Sequence, residues 1–122
     1  MIVNDLVIAK CTRGTYQGTI KSTSLGTYDV NILEVVEYPS QGRKIQKPYG
    51  FNQVVKLSED ELLSMGDNSD FMSQYTMENY LKTVISAIRS KLNEYGLINH
   101  DEKIILMTHL MEYRSLLEIE RG

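Results

Sequence analysis

Residues 14–42 read GTYQGTIKSTSLGTYDVNILEVVEYPSQG, and the rest of the chain is organised around this stretch. From Tyr16 to Thr23 the side chains alternate, with Tyr16, Gly18 and Ile20 on one face and Gln17, Thr19 and Lys21 on the other. That two-residue period belongs to a half-buried strand. Gly18 inside it relieves crowding or permits a bend where a small sheet curls tightly. Ser24-Leu25-Gly26-Thr27 is a hairpin connection with a glycine free to take positive φ. Tyr28 to Tyr38 is the longest strand candidate, and its buried parity changes at Ile32-Leu33, which is what a bulge or a sharp coil produces.

Working outward, Asp5 to Thr12 is a first strand and Phe51 to Leu57 a closing one. Several short strands with turn chemistry between them, all within residues 1–57, predict an SH3-like barrel. An OB-like barrel wants longer strands. The fold class expected is therefore α+β, a small barrel at 1–57 followed by a helical region at 58–122 docked with it as one unit. Charge changes at the same boundary. Residues 1–57 hold seven Lys and Arg against four Asp and Glu, and residues 58–122 hold six against twelve.

The helical reading starts at Ser58-Glu59-Asp60-Glu61, a capping box with Leu57 and Leu62 at the staple positions. It predicts a short helix ending near Gly66, then a polar break over 67–70. From about Asp70 to Tyr95 the apolar residues Met77, Leu81, Val84, Ile88, Leu92 and Tyr95 share one helix face, and Gly96 stands where the helix should stop. Asn99 with Glu102 caps a second long helix running to about Glu120. Its stripe is Leu106, Leu110, Tyr113 and Leu117, widened by Ile105 and Met111. The short link makes the pair an antiparallel helical hairpin.

Composition bounds the function. Apolar residues make up 42% and charged residues 24%, with a net charge of −3, so the chain as a whole lacks the basic excess of a nucleic-acid binder. Cys11 is the sole cysteine, which fits a reducing compartment and a cytoplasmic protein. The run before it is too short for a secretory segment and places Lys10 where a small residue is wanted. No apolar run reaches the roughly 20 residues that a membrane span needs.

Chemistry is sparse. His100 and His109 match no zinc spacing, and His109 with Glu112 could share a helix face without making a metal site. Residues 67–78 have the length of a calcium loop, but Phe71 and Met72 occupy positions that need an oxygen ligand and a glycine. Nucleophile and phosphate-loop motifs are missing. The expectation is no catalytic residue, no metal and no cofactor: the chain is not an enzyme. The one stretch with interaction character is the basic loop, where Arg43, Lys44, Lys47 and Lys56 stand beside Tyr49 and Phe51. Charge with aromatics is the dressing of a nucleic-acid-binding barrel. The same residues also suit an acidic protein surface, the chain's own helical half included, or a solvated loop whose aromatics close the barrel end.

The organising stretch also carries a resemblance. Gly14, Tyr16, Gly18 and Ile20, then Tyr28, Val30, Ile32, Leu33 and Val35, then the corner Pro39, Gln41 and Gly42, are similar to the hairpin, strand and corner of the kinase-associated lipoprotein B family of spore-forming bacteria and their relatives. The likeness spans roughly residues 5–50. It implies an SH3-like barrel with C-terminal helices. It also implies an accessory role in activating a sensor histidine kinase that feeds the sporulation phosphorelay. The family's corner begins with His and continues Asp-Leu-His, whereas here it begins with Tyr38 and continues Arg43-Lys44-Ile45. The contact surface this reading implies is the loop carrying Tyr38, Pro39, Gln41, Gly42, Arg43, Lys44, Lys47, Tyr49 and Phe51, with a sensor histidine kinase as protein partner. The alternative is an RNA- or DNA-binding barrel using the basic loop 43–56.

Overall fold

A computed structural model describes residues 1–39, 45–67, 75–94 and 98–122. Five antiparallel strands are followed by two helices: β1 (Asp5–Cys11), β2 (Gly14–Ser24), β3 (Thr27–Glu37), β4 (Val54–Ser58), β5 (Leu62–Asp67), α1 (Met77–Leu92) and α2 (His100–Arg121). The order across the sheet is β4-β3-β2-β1-β5. The fold class is α+β, as expected.

The central hairpin forms where its chemistry placed it. Gly26 takes φ +75° in the β2–β3 turn, a left-handed value that costs glycine little. Leu33 is the extra residue of a bulge, since Gln17 pairs with Glu34 while Gly18 pairs with Ile32. The slip returns Val30, Ile32 and Val35 to the same buried cluster despite their mixed parity. Gly18 lies at this slip. A Cβ there would stand 2.4 Å from the Asn31 carbonyl oxygen, so only glycine lets the two backbones approach.

The sheet closes on itself, as chain length shows. β4 and β5 are the two edges of the sheet, with three strands between them. Laid flat, their axes would be about 19 Å apart at the usual strand spacing. Only Glu59–Glu61, a single 3-10 turn, separates them, and even extended such a link reaches about 14 Å. The sheet must therefore curl into a small barrel-like unit.

Two expectations are corrected. The short helix after Ser58 is one 3-10 turn, and residues 62–67 form strand β5 on β1. The cap chemistry at Ser58 is real: its N–H donates to Glu61 Oε1 at 3.1 Å and its hydroxyl to the same oxygen at 2.8 Å. A helix of seven or so residues gains little from nucleation, whereas the open edge of β1 offers a row of unpaired backbone groups. Pairing wins. The closing strand also begins later than expected, at Val54. Asn52 adopts φ 62° in a turn whose N–H donates to Ile32 O at 2.7 Å, a conformation asparagine tolerates.

Thr76 caps α1 by accepting from the Asn79 N–H at 3.1 Å, and Asn99 caps α2 by accepting from that of Glu102 at 2.8 Å. Tyr95, Gly96 and residues 68–74, part of the helix reading, lie outside the described residues. α1 buries Tyr80, Leu81, Val84, Ile85, Ala87 and Ile88. Fully burying a side chain such as Val84 or Ile88 contributes about 1.5–3 kcal/mol relative to exposure. The Thr83 hydroxyl completes the docking of α1 on the sheet by accepting the Val35 N–H at 3.0 Å. α2 then lays Leu106, Leu110, Tyr113 and Leu117 against α1. Met111, expected to widen that stripe, is 68% exposed. At 100° per residue it stands on the opposite side of the helix.

Candidate functional site

Between β3 and β4, residues 38–39 and 45–51 are described, with Tyr38 and Lys47 in contact with α2 and Tyr49 and Phe51 in contact with α1. These residues are held by contacts from three directions. Tyr38 and Pro39 are buried. The Tyr38 hydroxyl shares a 2.6 Å hydrogen bond with His109 Nδ1 on α2, and their rings lie 5.9 Å apart. Burial holds this hydroxyl well above the usual tyrosine range, with Tyr113 and Tyr80 adding to the effect. Tyr113 itself is pushed up to about 12, by burial first and then by Glu112. The phenols of this region are therefore neutral donors.

Lys47 is exposed and forms an ion pair with Glu112 of α2. That pair holds the Glu112 carboxyl below the ordinary carboxylate value. The backbone carbonyl of Lys47 accepts from Arg13 Nη2 at 2.9 Å, and the guanidinium of Arg13 lies 4.8 Å from the centre of the Tyr49 ring. Tyr49, half-buried, packs on Tyr16 with centroids 5.2 Å apart. Its N–H donates to the Tyr16 hydroxyl at 3.1 Å, and that hydroxyl donates in turn to the Arg13 carbonyl. The Tyr49 carbonyl accepts from the Tyr80 hydroxyl of α1, and Phe51 stacks at 5.9 Å on the Tyr80 ring.

Of the residues singled out from sequence, the structure thus sets Tyr38 and Lys47 against α2 and Tyr49 and Phe51 against α1, with Pro39 buried beside Tyr38. Gln41, Gly42, Arg43 and Lys44 lie outside the described residues. Lys56 is exposed on β4, away from this cluster. Five residues complete the arrangement without having been singled out for it: Arg13, Tyr16, Tyr80, His109 and Glu112. A signal for two of them was present, because His109 and Glu112 sit three apart on α2. Neither a metal pair nor an exposed helix histidine is their use: both side chains hold the loop, His109 through Tyr38 and Glu112 through Lys47.

Chemically the cluster is a clamp. Lys47 is neutralised by a carboxylate, Arg13 lies over an aromatic ring, the Tyr16 and Tyr80 hydroxyls are engaged by backbone carbonyls, and the Tyr38 hydroxyl is engaged by the His109 ring. Burial lowers the pKa of His109, Lys47 lowers it further, and Glu112 opposes them. Among the described residues no three His, Cys, Asp or Glu side chains come together as a metal set, and no helix is long and apolar enough to cross a membrane.

No protein-family model matches the sequence, and no curated protein matches it. Among solved structures, the X-ray crystal structure of kinase-associated protein B from Bacillus cereus superposes with a TM-score of 0.66. The superposition covers 100% of this chain and 99% of that one at 16% sequence identity. At that identity the likeness is one of fold, and it extends from the first strand to the last helix: the chain has the fold of kinase-associated protein B.

Proposed function

We propose that this chain is a non-enzymatic accessory protein that works by binding another protein in the cytoplasm. In this reading it is an SH3-like barrel with a docked helical hairpin, and its partner is a sensor histidine kinase of a phosphorelay. The observation that carries the reading is the end-to-end likeness to kinase-associated protein B, helices included. The hairpin, strand and corner residues between Gly14 and Gly42 resemble the same family independently.

Affinity capture from native lysate with the full chain tests it. The expected result is co-elution of a sensor histidine kinase, with recovery reduced several-fold when Arg43, Lys44 and Lys47 are all replaced by Ser. Capture of RNA in place of a kinase, released steeply by added salt, would overturn the proposal in favour of a nucleic-acid-binding barrel.

A further inference from the structure

The outer flank of the helical hairpin differs from the clamped end. α1 and α2 leave a groove of about 410 Å³ between them, with Lys82, Arg89, Arg114 and Arg121 on its walls and Glu118 as its one acid. Ile85 and Leu117 form the floor. These four cations are four of the six in residues 58–122, a half that holds twelve acids. Lys82 and Arg121 share Glu78, at 3.6 and 3.0 Å. Arg89 and Arg114, one on each helix, have no carboxylate within ion-pair distance among the described residues.

A second hollow of about 200 Å³ shares Arg114 and Glu118 with the first and opens onto Met111. From there an apolar strip continues along the outer side of α2 through Met107 and Ile104, which are 44% and 51% exposed. Residues 104, 107 and 111 fall within about 60° of one another around the helix, about 120° round from the buried stripe. Among the described residues, then, two guanidiniums without a carboxylate line the groove, and from the Arg114 side it continues into a ribbon of exposed thioether and alkyl surface.

We propose that this surface docks an acidic amphipathic helix of a partner protein. Its carboxylates would meet Arg89 and Arg114, and its apolar face would cover Met111, Met107 and Ile104. Guanidinium forks match carboxylates in bidentate geometry. Methionine adapts its shape to whatever apolar residue arrives. The strip runs along α2 for about two turns, which suits a helix laid alongside it. A nucleic acid is disfavoured because the groove has no aromatic ring on which a base could stack. The inference rests on the reading of the chain as an interaction protein, but it uses a different surface from residues 38–51.

The test is fluorescence anisotropy with the full chain and labelled synthetic helical peptides. One peptide carries Leu at i, i+3, i+4, i+7 spacing flanked by Glu, a second is its scrambled isomer, and a third has Lys in place of Glu. Only the first should bind well, the others being weaker by about tenfold or more, and its binding should weaken with salt. The double variant R89E/R114E should lose about tenfold in affinity and Met111→Ser about threefold, while Lys21→Glu on the far side of the sheet changes nothing. All variants should keep the circular dichroism spectrum of the parent. Equal binding of the three peptides, an unaffected R89E/R114E variant, or RNA bound through these arginines with no peptide bound, overturns the groove. A kinase captured by the full chain while none of the three peptides binds keeps the accessory reading and overturns the groove. Peptide binding without any captured kinase does the reverse.

Discussion

The two basic surfaces of this chain lie on opposite sides of the helical hairpin and have opposite fates. At the barrel end, Arg13 and Lys47 are absorbed by the fold: one stacks on Tyr49 and holds a backbone carbonyl, the other pairs with Glu112. On the outer flank, Arg89 and Arg114 find no carboxylate among the described residues. Counting lysines and arginines in a sequence cannot tell these cases apart. What separates them is the partner each charge meets after folding. An ion pair between exposed groups contributes little to stability, yet it removes a cation from the set that could greet a ligand.

The sharpest way to break the comparison is to attack what places β3, because the clamped end hangs from it. Gly18→Val sets a Cβ 2.4 Å from the Asn31 carbonyl, a backbone atom that cannot rotate away. Asn31 also donates through Nδ2 to Asn52 Oδ1 at 3.0 Å, so the damage travels into the return of the loop. Overpacking of this kind should cost about 3 kcal/mol or more, read by chemical denaturation. Arg114→Ala on the outer flank should change stability by no more than about 0.5 kcal/mol. Similar losses for the two would mean that the β2–β3 approach does not support the clamped end.

A smaller effect is expected inside the clamp itself. Tyr16→Phe deletes a fully buried hydroxyl that joins the Arg13 carbonyl to the Tyr49 N–H. The ring stays, so the loss isolates the hydrogen bonds and should lie at about 1–3 kcal/mol. Denaturation midpoints of the variant and the parent chain measure it. An unchanged midpoint would show that water takes over both groups, and that this end is looser than its contacts indicate.

The fold was largely legible before any coordinates, and the reasons are local. Gly26 in its turn, the parity change at Leu33 and the caps at Asn99 and Ser58 are each decided by neighbours within a few residues. The fate of residues 62–67 was not. Their identity as a strand depends on the vacant edge of β1, some 55 residues earlier in the chain, and nothing in Leu62-Leu63-Ser64 announces that edge. The candidate site was legible in outline only. Tyr38, Lys47 and Tyr49 stand out in the sequence as an interaction surface, and in the structure each contacts a helix of its own chain; the gripping partners Tyr80, His109 and Glu112 come from helices whose docking no local pattern specifies. Met111 was misassigned for a related reason: two helices need only one stripe each to pack together, and its apolar character serves another face.

The finest probe of the clamp is its one titratable ring. His109 is held below its ordinary value of 6.5 by burial, then by Lys47, with Glu112 working against them. Its folded pKa therefore lies below its unfolded pKa, and between the two values the unfolded chain binds more protons. Stability is then complete above 6.5 and falls as the pH drops below it. In the tautomer that carries its proton on Nε2, the neutral ring accepts from the Tyr38 hydroxyl at Nδ1. Protonation makes both ring nitrogens donors, so the hydroxyl must turn to keep the bond. Burial raises the Glu34 carboxyl, which acts in the opposite direction as pH falls, so the bare pH dependence mixes two groups. His109→Gln keeps a polar side chain and removes the titration. Between about pH 7.5 and pH 5.5 the parent chain should lose more of its melting temperature than His109→Gln does. The gap should persist in high salt, because burial and not the exposed Lys47 is the leading cause of the shift. Equal losses would mean that the ring is already hydrated in the folded chain, and that the clamp under α2 opens more readily than the groove on its far side.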